Sequence, residues 1–479
     1  MFKQPSKIVK KSQLLEKGSL SSKDYSRLTK WEETIQLLEV MDYKVGKTLL
    51  SESFVNEELK SNHRFLKTGN LIPYRTLLDT TNVEYCKPME SFTLKSGDIL
   101  IAKDGNGEGL GEVSIYFPNQ DYTDHICGEI LCIRLKDEGK VDPFYLLAIL
   151  KSRYFKDYID IVTPGGSTLR HSKLAALEFK VPYASDKARE MDYISLIMQN
   201  IVHKEQQISE KKAKINAIFE NELHLKEVVP KKYPSIKDVR DTARMDTSLY
   251  KPMYLTLRNS IVNYSNGHYY LENSRVGPGS TPKDYLYSDE KNDHTALWIT
   301  PKNITSLELL YKTYINTSTP SKLKKGDLIL SGVRYVGYGI LVEDEVTYCN
   351  QNTLIVKNNN DFNEQVYLLC FFTSNIGKKL QYSWRIDGLV PIIYKDDFCQ
   401  IPIPNLSNET RQKIVENYYL ELSCDNTLTF DNYISEVKER NVSVGIHQLN
   451  KELVYLQDHL KDIIFKYINN IEFKFEFFA

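Results

Sequence analysis

The chain has 479 residues, 41% hydrophobic and 26% charged, with 62 basic against 63 acidic residues and a net charge of -1. That is the composition of a soluble globular protein with room for about two to four domains. The even balance excludes binding to nucleic acid through bulk positive charge and leaves local basic grooves open. Seven scattered cysteines form no CxxC pair or zinc-like Cys/His spacing, which argues against a structural metal and suits a reducing cytoplasm. The lysine-bearing start, MFKQPSKIVKKSQLLEKG, lacks an apolar core of signal-peptide length, and no run approaches the roughly 20 apolar residues that cross a bilayer.

Along the chain, HRFLKTGNLI from His63 is followed by LKSGDILIAKDGNGEGLGEVSIYF, which reads as two strands around a glycine-bearing turn. The glycine run Lys103–Gly111 matches neither GxGxxG before a helix nor GxxxxGK[ST], so a hairpin is the reading. Such a tip can still bring main-chain N–H groups and Lys103 to a phosphate. Residues 143–160 read as one amphipathic helix begun by a proline. Its lead-in Asp142-Pro143-Phe144-Tyr145 faintly resembles an amino-methyltransferase motif but is better read as a helix N-terminus. Thr163–His171 is a loop with two hydroxyls, an Arg and a His; a solvated turn is the competing reading. A strand carrying Phe179 and Val181 leads into a Pro- and Gly-free helix, Asp186 to about Glu222, with Ile194, Ile201, Ile208 and Ile215 seven residues apart. The pattern breaks in VVPKKYPSIKD, near 228–238.

The sequence then repeats itself. ALWITPKNIT aligns Asn303 with Asn70, and LKKGDLILSGVRYVGYGILVED aligns Gly326-Asp327 with Gly97-Asp98. NEQVYLLCFFTS aligns Tyr367-Leu368-Leu369 with Tyr145-Leu146-Leu147, and YKDDFCQIPIP aligns Pro404 with Pro182. Four landmarks in one order describe a duplicated module. Ser383–Gly388, with Trp384 and Arg385, stands as the counterpart of the Thr163–His171 loop, and Arg334 and Tyr335 take the place of Lys103. A helical piece, ETRQKIVENYYLEL, breaks at SCDNT. Val442, Ile446, Leu449, Leu453, Leu456, Leu460, Ile463 and Tyr467 then make an a/d seam. Each long helix, roughly 50–60 Å at 1.5 Å per residue, is the natural partner of the other. Closure of one bundle core and dimerisation with a second chain are alternatives. The nine histidines form no Ser/His/Asp or paired-carboxylate arrangement, and no PD…(D/E)xK nuclease pattern stands out.

These landmarks, with GPGSTPKDYLY, GGSTLRHSKLAALEFKVP, FCQIPIPNLSNETRQKIVE and Arg244-Met245-Asp246, resemble the specificity (S) subunit of type I restriction–modification systems over nearly the whole chain. The resemblance implies a mixed α/β (α+β) fold with two duplicated target-recognition domains separated by a long antiparallel helical coiled coil. It places a first recognition domain at 1–183, a spacer helix at 184–228, a second domain at 229–405, and a second spacer region with the tail at 406–479. It implies a non-catalytic, cytoplasmic DNA-binding subunit of a phage-defence system that reads a bipartite site in double-stranded DNA. Its partners would be methyltransferase subunits, which would carry S-adenosylmethionine, and in a cutting complex motor–nuclease subunits. The chain itself would hold no cofactor or metal and meet no membrane. Expected DNA contacts are Lys67, Asn70, Lys103, Ser167, Arg170 and His171 in the first module, and Lys302, Asn303, Arg334, Tyr335, Trp384 and Arg385 in the second. A targeting subunit of another methyltransferase-based defence complex, and a coiled-coil scaffold that binds no DNA, remain open readings.

Overall fold

The computed structural model describes residues 33–478 apart from 56–60, 81–82, 91, 106–108, 120, 137–140, 164–169, 225–235, 243, 246, 289–290, 344–345, 387 and 424–426. The chain separates into two compact units: Met1–Glu205 with Asn426–Lys438 and Tyr455–Ala479, and Gln206–Asp425 with Glu439–Val454.

In the first unit, an antiparallel sheet runs in the order Met41–Val45, Ile130–Leu135, Ile99–Ala102, Val113–Ile115. A second sheet runs Phe54–Val55, Glu84–Cys86, His63–Leu66, Thr123–Ile126, its last pair parallel. Apolar side chains of both sheets, among them Phe65, Leu66, Leu100, Ala102, Ile126 and Ile130, form one core. A short ladder joins Thr34–Gln36 to Lys180–Pro182.

The second unit repeats this strand for strand. Its antiparallel sheet runs Val276–Pro278, Thr353–Val356, Leu328–Ser331, Gly339–Leu341. The companion sheet runs Tyr285–Ser288, Tyr314–Thr317, Thr295–Ile299, Thr347–Cys349, again with a parallel last pair. A ladder joins His268–Tyr269 to Ile403–Pro404. A parallel pair needs a crossover where an antiparallel one needs only a hairpin, so its recurrence at the same place is a specific topological match.

The same atoms hold both copies. Gly97 and Gly326 turn with φ of +89° and +85°, which a side chain resists. The buried carboxylates one residue later, Asp98 and Asp327, each accept from the main-chain N–H three residues back. Tyr145 and Tyr367 each donate to a proline carbonyl 37 residues on, Pro182 and Pro404. The helical stretch after Asp142 is two helices, Pro143–Lys151 and Arg153–Val162, broken at Ser152. Asp142 caps the first by accepting from Phe144 and Tyr145 N–H, the role that short side-chain oxygens take at a helix start. The equivalent pair in the second unit is Phe362–Thr373 and Asn375–Trp384, capped by Asp361 and Ser374.

The first long helix, Ala188–Leu223, has 36 residues. Ile194, Ile201, Ile208 and Ile215 are all buried, as the seven-residue spacing requires. The second, Ile446–Ile468, buries Ile446, Leu449, Leu453, Leu456, Leu460, Ile463 and Tyr467. Val442, read as the start of this seam, is exposed and ends a separate helix, Tyr433–Ser443. The interruption has a local cause: Gly445 N–H leaves the helix to donate to Leu420 O, at a spot with no room for a Cβ. Within the first unit the two helices run antiparallel, since Lys187 meets Asn470 while Tyr193 meets His459.

Candidate nucleic-acid interface

Two loops far apart in sequence are brought together in the first unit. The strand Asp104–Gly105, entering the glycine hairpin, pairs with Arg170–His171 so that His171 faces Asp104 and Arg170 faces Gly105. Ser172 N–H and Oγ both donate to Lys103 O, and Lys103 N–H donates to Glu129 O. Asp104 is buried and organises the charges: one oxygen takes the Lys103 ammonium, the other lies 3.3 Å from His171 Nδ1. Arg170 donates to Asp160 at 2.8 Å and is only 13% exposed, whereas His171 is 55% exposed.

The second unit reproduces the main-chain bonds of this ladder. Gly332 N–H donates to Asn352 O, Ile393 N–H donates to Gly332 O, and Val333 bridges Ile392. By these bonds Lys103 corresponds to Gly332, Asp104 to Val333, and Gly105 to Arg334. His171 corresponds to Ile392 and Arg170 to Pro391, whose carbonyl receives Arg334 N–H. Arg334 therefore stands in the place of Gly105 rather than of Lys103, and Arg385 comes earlier in its loop than Arg170 does in the first. Arg385 ends the preceding helix, with its guanidinium 4.5 Å from the Tyr382 ring centroid. Arg334 is exposed on a left-handed residue, φ +64°, and Tyr335 beside it is partly exposed and stacks on Tyr338. Lys378 lies 5.4 Å from the Tyr338 ring centroid.

Three expected contact residues have other work. Asn70 and Asn303 are buried; each side-chain oxygen accepts from the N–H three residues back, Lys67 and Thr300, while each amide donates to a main-chain carbonyl. They fold a turn rather than face a ligand. Trp384 is buried, with Arg244 donating to its carbonyl and lying 5.8 Å from its ring. Lys67 is half exposed and ion-paired with Glu84 at 2.7 Å, and Lys302 is exposed. Ser167 lies outside the described residues. The outward-facing set is thus Lys67 and His171 in one unit and Lys302, Arg334 and Tyr335 in the other, with Lys103 and Arg170 held behind by Asp104 and Asp160.

Sequence reasoning missed the residues that carry the modules on the helices. Glu205, buried, accepts from Thr76 N–H and Oγ1 at 2.8 Å and from Leu77 N–H at 2.9 Å. Burial pushes its carboxyl up, while Arg75 and these donors pull it down; the net direction is up. In the second unit Asn450 accepts from Leu309 N–H and donates to Leu309 O. A polar residue between buried heptad positions was the available signal for both. Among the described residues no group of three or more metal-ligating side chains occurs, and no helix is long and apolar enough to cross a membrane.

No protein-family profile matches the chain, and no curated protein matches it. Three solved structures are similar over most of their length. The S subunit of a type I restriction–modification system from M. genitalium is 12% identical, covering 92% of this chain and 98% of that one, with a TM-score of 0.36. A structure describing complex assembly and conformational transition of the type I R-M system is 13% identical, covering 93% and 99%, with a TM-score of 0.29. The HsdS subunit from Thermoanaerobacter tengcongensis is 13% identical, covering 93% and 98%, with a TM-score of 0.26.

Proposed function

We propose that this chain is a non-catalytic DNA-recognition subunit that reads a two-part site in double-stranded DNA and directs methyltransferase subunits to it in the cytoplasm. The observation that carries the reading is the duplicated ladder: one main-chain scaffold, used twice, presents different side chains at equivalent positions. Two copies of one reader with different side chains suit two half-sites of different sequence. The modules, 1–183 and 229–405, would read, and the helical segments, 184–228 and 406–479, would space them.

Each module would place its ladder loops in the major groove, where all four base pairs differ in their donor and acceptor pattern. His171 and, once released from Asp160, Arg170 would meet base edges in the first half-site; Arg334 and Tyr335 would do so in the second. Lys67, Lys103 and Lys302 would set register on phosphates, which position but do not specify. A helical spacer of fixed length would leave a fixed unread gap, as protein spacing sets half-site spacing in other two-headed readers. The methyl donor, S-adenosylmethionine, would sit on the partner, and motor–nuclease subunits would join where the complex also cuts.

The test is co-expression with a type I methyltransferase subunit, followed by long-read mapping of modified bases across the host genome. A split motif with a fixed gap is expected, and exchanging one module should change one half only. If active methyltransferase co-purifies with the chain and no new methylation appears, the reading fails and a scaffold that binds no DNA takes its place.

A further inference from the structure

The segment following the second long helix alternates Phe473, Phe475 and Phe477 with Lys474 and Glu476, the period-two pattern of an extended chain with one apolar face. Its three phenylalanines pack on one aromatic patch of the first unit. Phe475 and Phe477 lie 5.1 and 5.3 Å from Tyr193, and 5.2 and 5.0 Å from Phe430, while Phe477 also lies 4.9 Å from Tyr433. Phe473 lies 6.2 Å from Tyr193. Phe478, on the opposite face, packs on Tyr455 and His459 at 4.9 and 5.2 Å. The Arg189 guanidinium lies 4.9 Å from the Phe430 ring and 5.4 Å from Phe475, within cation–π range.

The groove also reads the main chain of what fills it. Tyr193 Oη donates to Glu476 O at 2.5 Å and accepts from Glu476 N–H at 3.0 Å, so one phenol pairs both backbone groups of a residue as a neighbouring strand would. Tyr433 Oη donates to Phe478 O at 2.8 Å, and the Asn200 amide reaches the same carbonyl at 3.4 Å and Tyr433 Oη at 2.7 Å. Tyr193, Asn200 and Tyr433 are fully buried, and Tyr193 Oη also meets His459 Nε2 at 2.9 Å, which fixes the phenol in place. Three such groups meeting one peptide backbone make a receptor for an extended chain.

We infer that this aromatic groove is a peptide-binding site for a Phe-x-Phe-x-Phe strand, occupied in cis by the chain's own Phe473–Phe478, which acts as a releasable latch on the helix pair. Exposed Lys474 and Glu476 leave the outer edge hydrophilic. Release would open an aromatic face on the helices without disturbing the heptad seam beneath.

The experiment uses the full-length chain and a fluorescein-labelled IEFKFEFF peptide. The unaltered chain should leave the peptide free, because its tethered copy competes at an effective concentration of roughly millimolar. A full-length chain carrying Phe475→Asp and Phe477→Asp, with unchanged far-ultraviolet circular dichroism, should bind it, and a peptide with alanine at those two positions should bind at least about 30-fold more weakly. Equal binding by both chains, or by neither, overturns the inference. Hydrogen exchange on the unaltered chain keeps the question answerable if the variant does not fold. The Glu476 amide should exchange through a local opening, well before the amides of Ala188–Leu223. Exchange of both together, or a monomer–dimer mixture in which the segment crosses to a second copy, overturns a cis latch.

Discussion

Beside the first glycine hairpin Asp104 faces His171 and Gly105 faces Arg170, with Lys103 drawn onto the same carboxylate. At the corresponding place in the second unit Val333 faces Ile392, Arg334 meets the carbonyl of Pro391, and a glycine stands where the lysine was. Four polar side chains in one module become apolar or absent in the other, and an arginine appears where the first has a glycine. The backbone bonds do not change. What holds the ladder is main chain to main chain, so its side chains can differ entirely without cost to the fold. The groups that do recur, such as Asn70 and Asn303 or Tyr145 and Tyr367, spend their polar atoms on the backbone itself.

That division between shared scaffold and divergent face can be broken most forcefully at the paired turn carboxylates. Asp98 takes Lys95 N–H and both guanidinium arms of Arg134; Asp327 takes Lys324 and Asn358 N–H. Asp98→Ala and Asp327→Ala should each cost about 2–4 kcal/mol, because each removes the buried carboxylate on which its turn closes. Hydrogen exchange should localise each loss to its own unit. A neutral result at either site would mean that the positive-φ glycine alone holds that turn.

A second contrast lies in acid. The first unit holds three histidines pushed below their ordinary value: His203 to about 4, by burial and then Lys438 and Lys204; His125, by burial and then His63; and His459, by burial. In the unfolded chain a histidine titrates near 6.5. Between that value and about 4 the unfolded state binds the extra proton, so the stability present above pH 6.5 is lost as pH falls through this window. The first unit should therefore soften between pH 6.5 and 4. Urea midpoints at pH 7.5 and 5.0 should differ less in His203→Gln than in the unaltered chain. An equal difference would place the acid sensitivity elsewhere.

The scaffold was legible because its signals are local and doubled. Gly-Asp before an apolar run, Tyr-Leu-Leu in a helix and a closing proline recur in one order, and that recurrence marks the duplication. The face was less legible. Asn70 and Asn303 recur, but that recurrence came from turn geometry, so reading them as ligand contacts mistook a structural repeat for a functional one. The ladder pairs Gly105 with Arg170, 65 residues on, and Asp104 with His171, 67 residues on, and no periodicity encodes it. Gly46 carries no motif, and the GPGSTPKDYLY run that holds Gly279 does not say why a glycine is needed there. Each lies where a neighbouring main-chain carbonyl leaves no space for a Cβ, which only the folded chain makes visible.

The smallest expected effects on stability bear most directly on reading. Arg170→Ala removes a partly exposed ion pair with Asp160, worth roughly 0.5 kcal/mol, and should relax discrimination in the first half-site alone. In the second ladder the cation is Arg334, in the place of Gly105, held at φ +64° where a side chain is strained. Arg334→Gly should leave stability unchanged or raise it by roughly 0–1 kcal/mol, because glycine accepts that conformation. It should nevertheless impair the second half-site, removing the exposed cation that Arg334 places on this ladder. Methylation mapping beside thermal unfolding separates the two effects. Strain kept at a position whose side chain does nothing for packing is what a binding residue looks like; if Arg334→Gly instead lowered stability and left both half-sites intact, the arginine would belong to the scaffold, and the second reading face would lie elsewhere on the module.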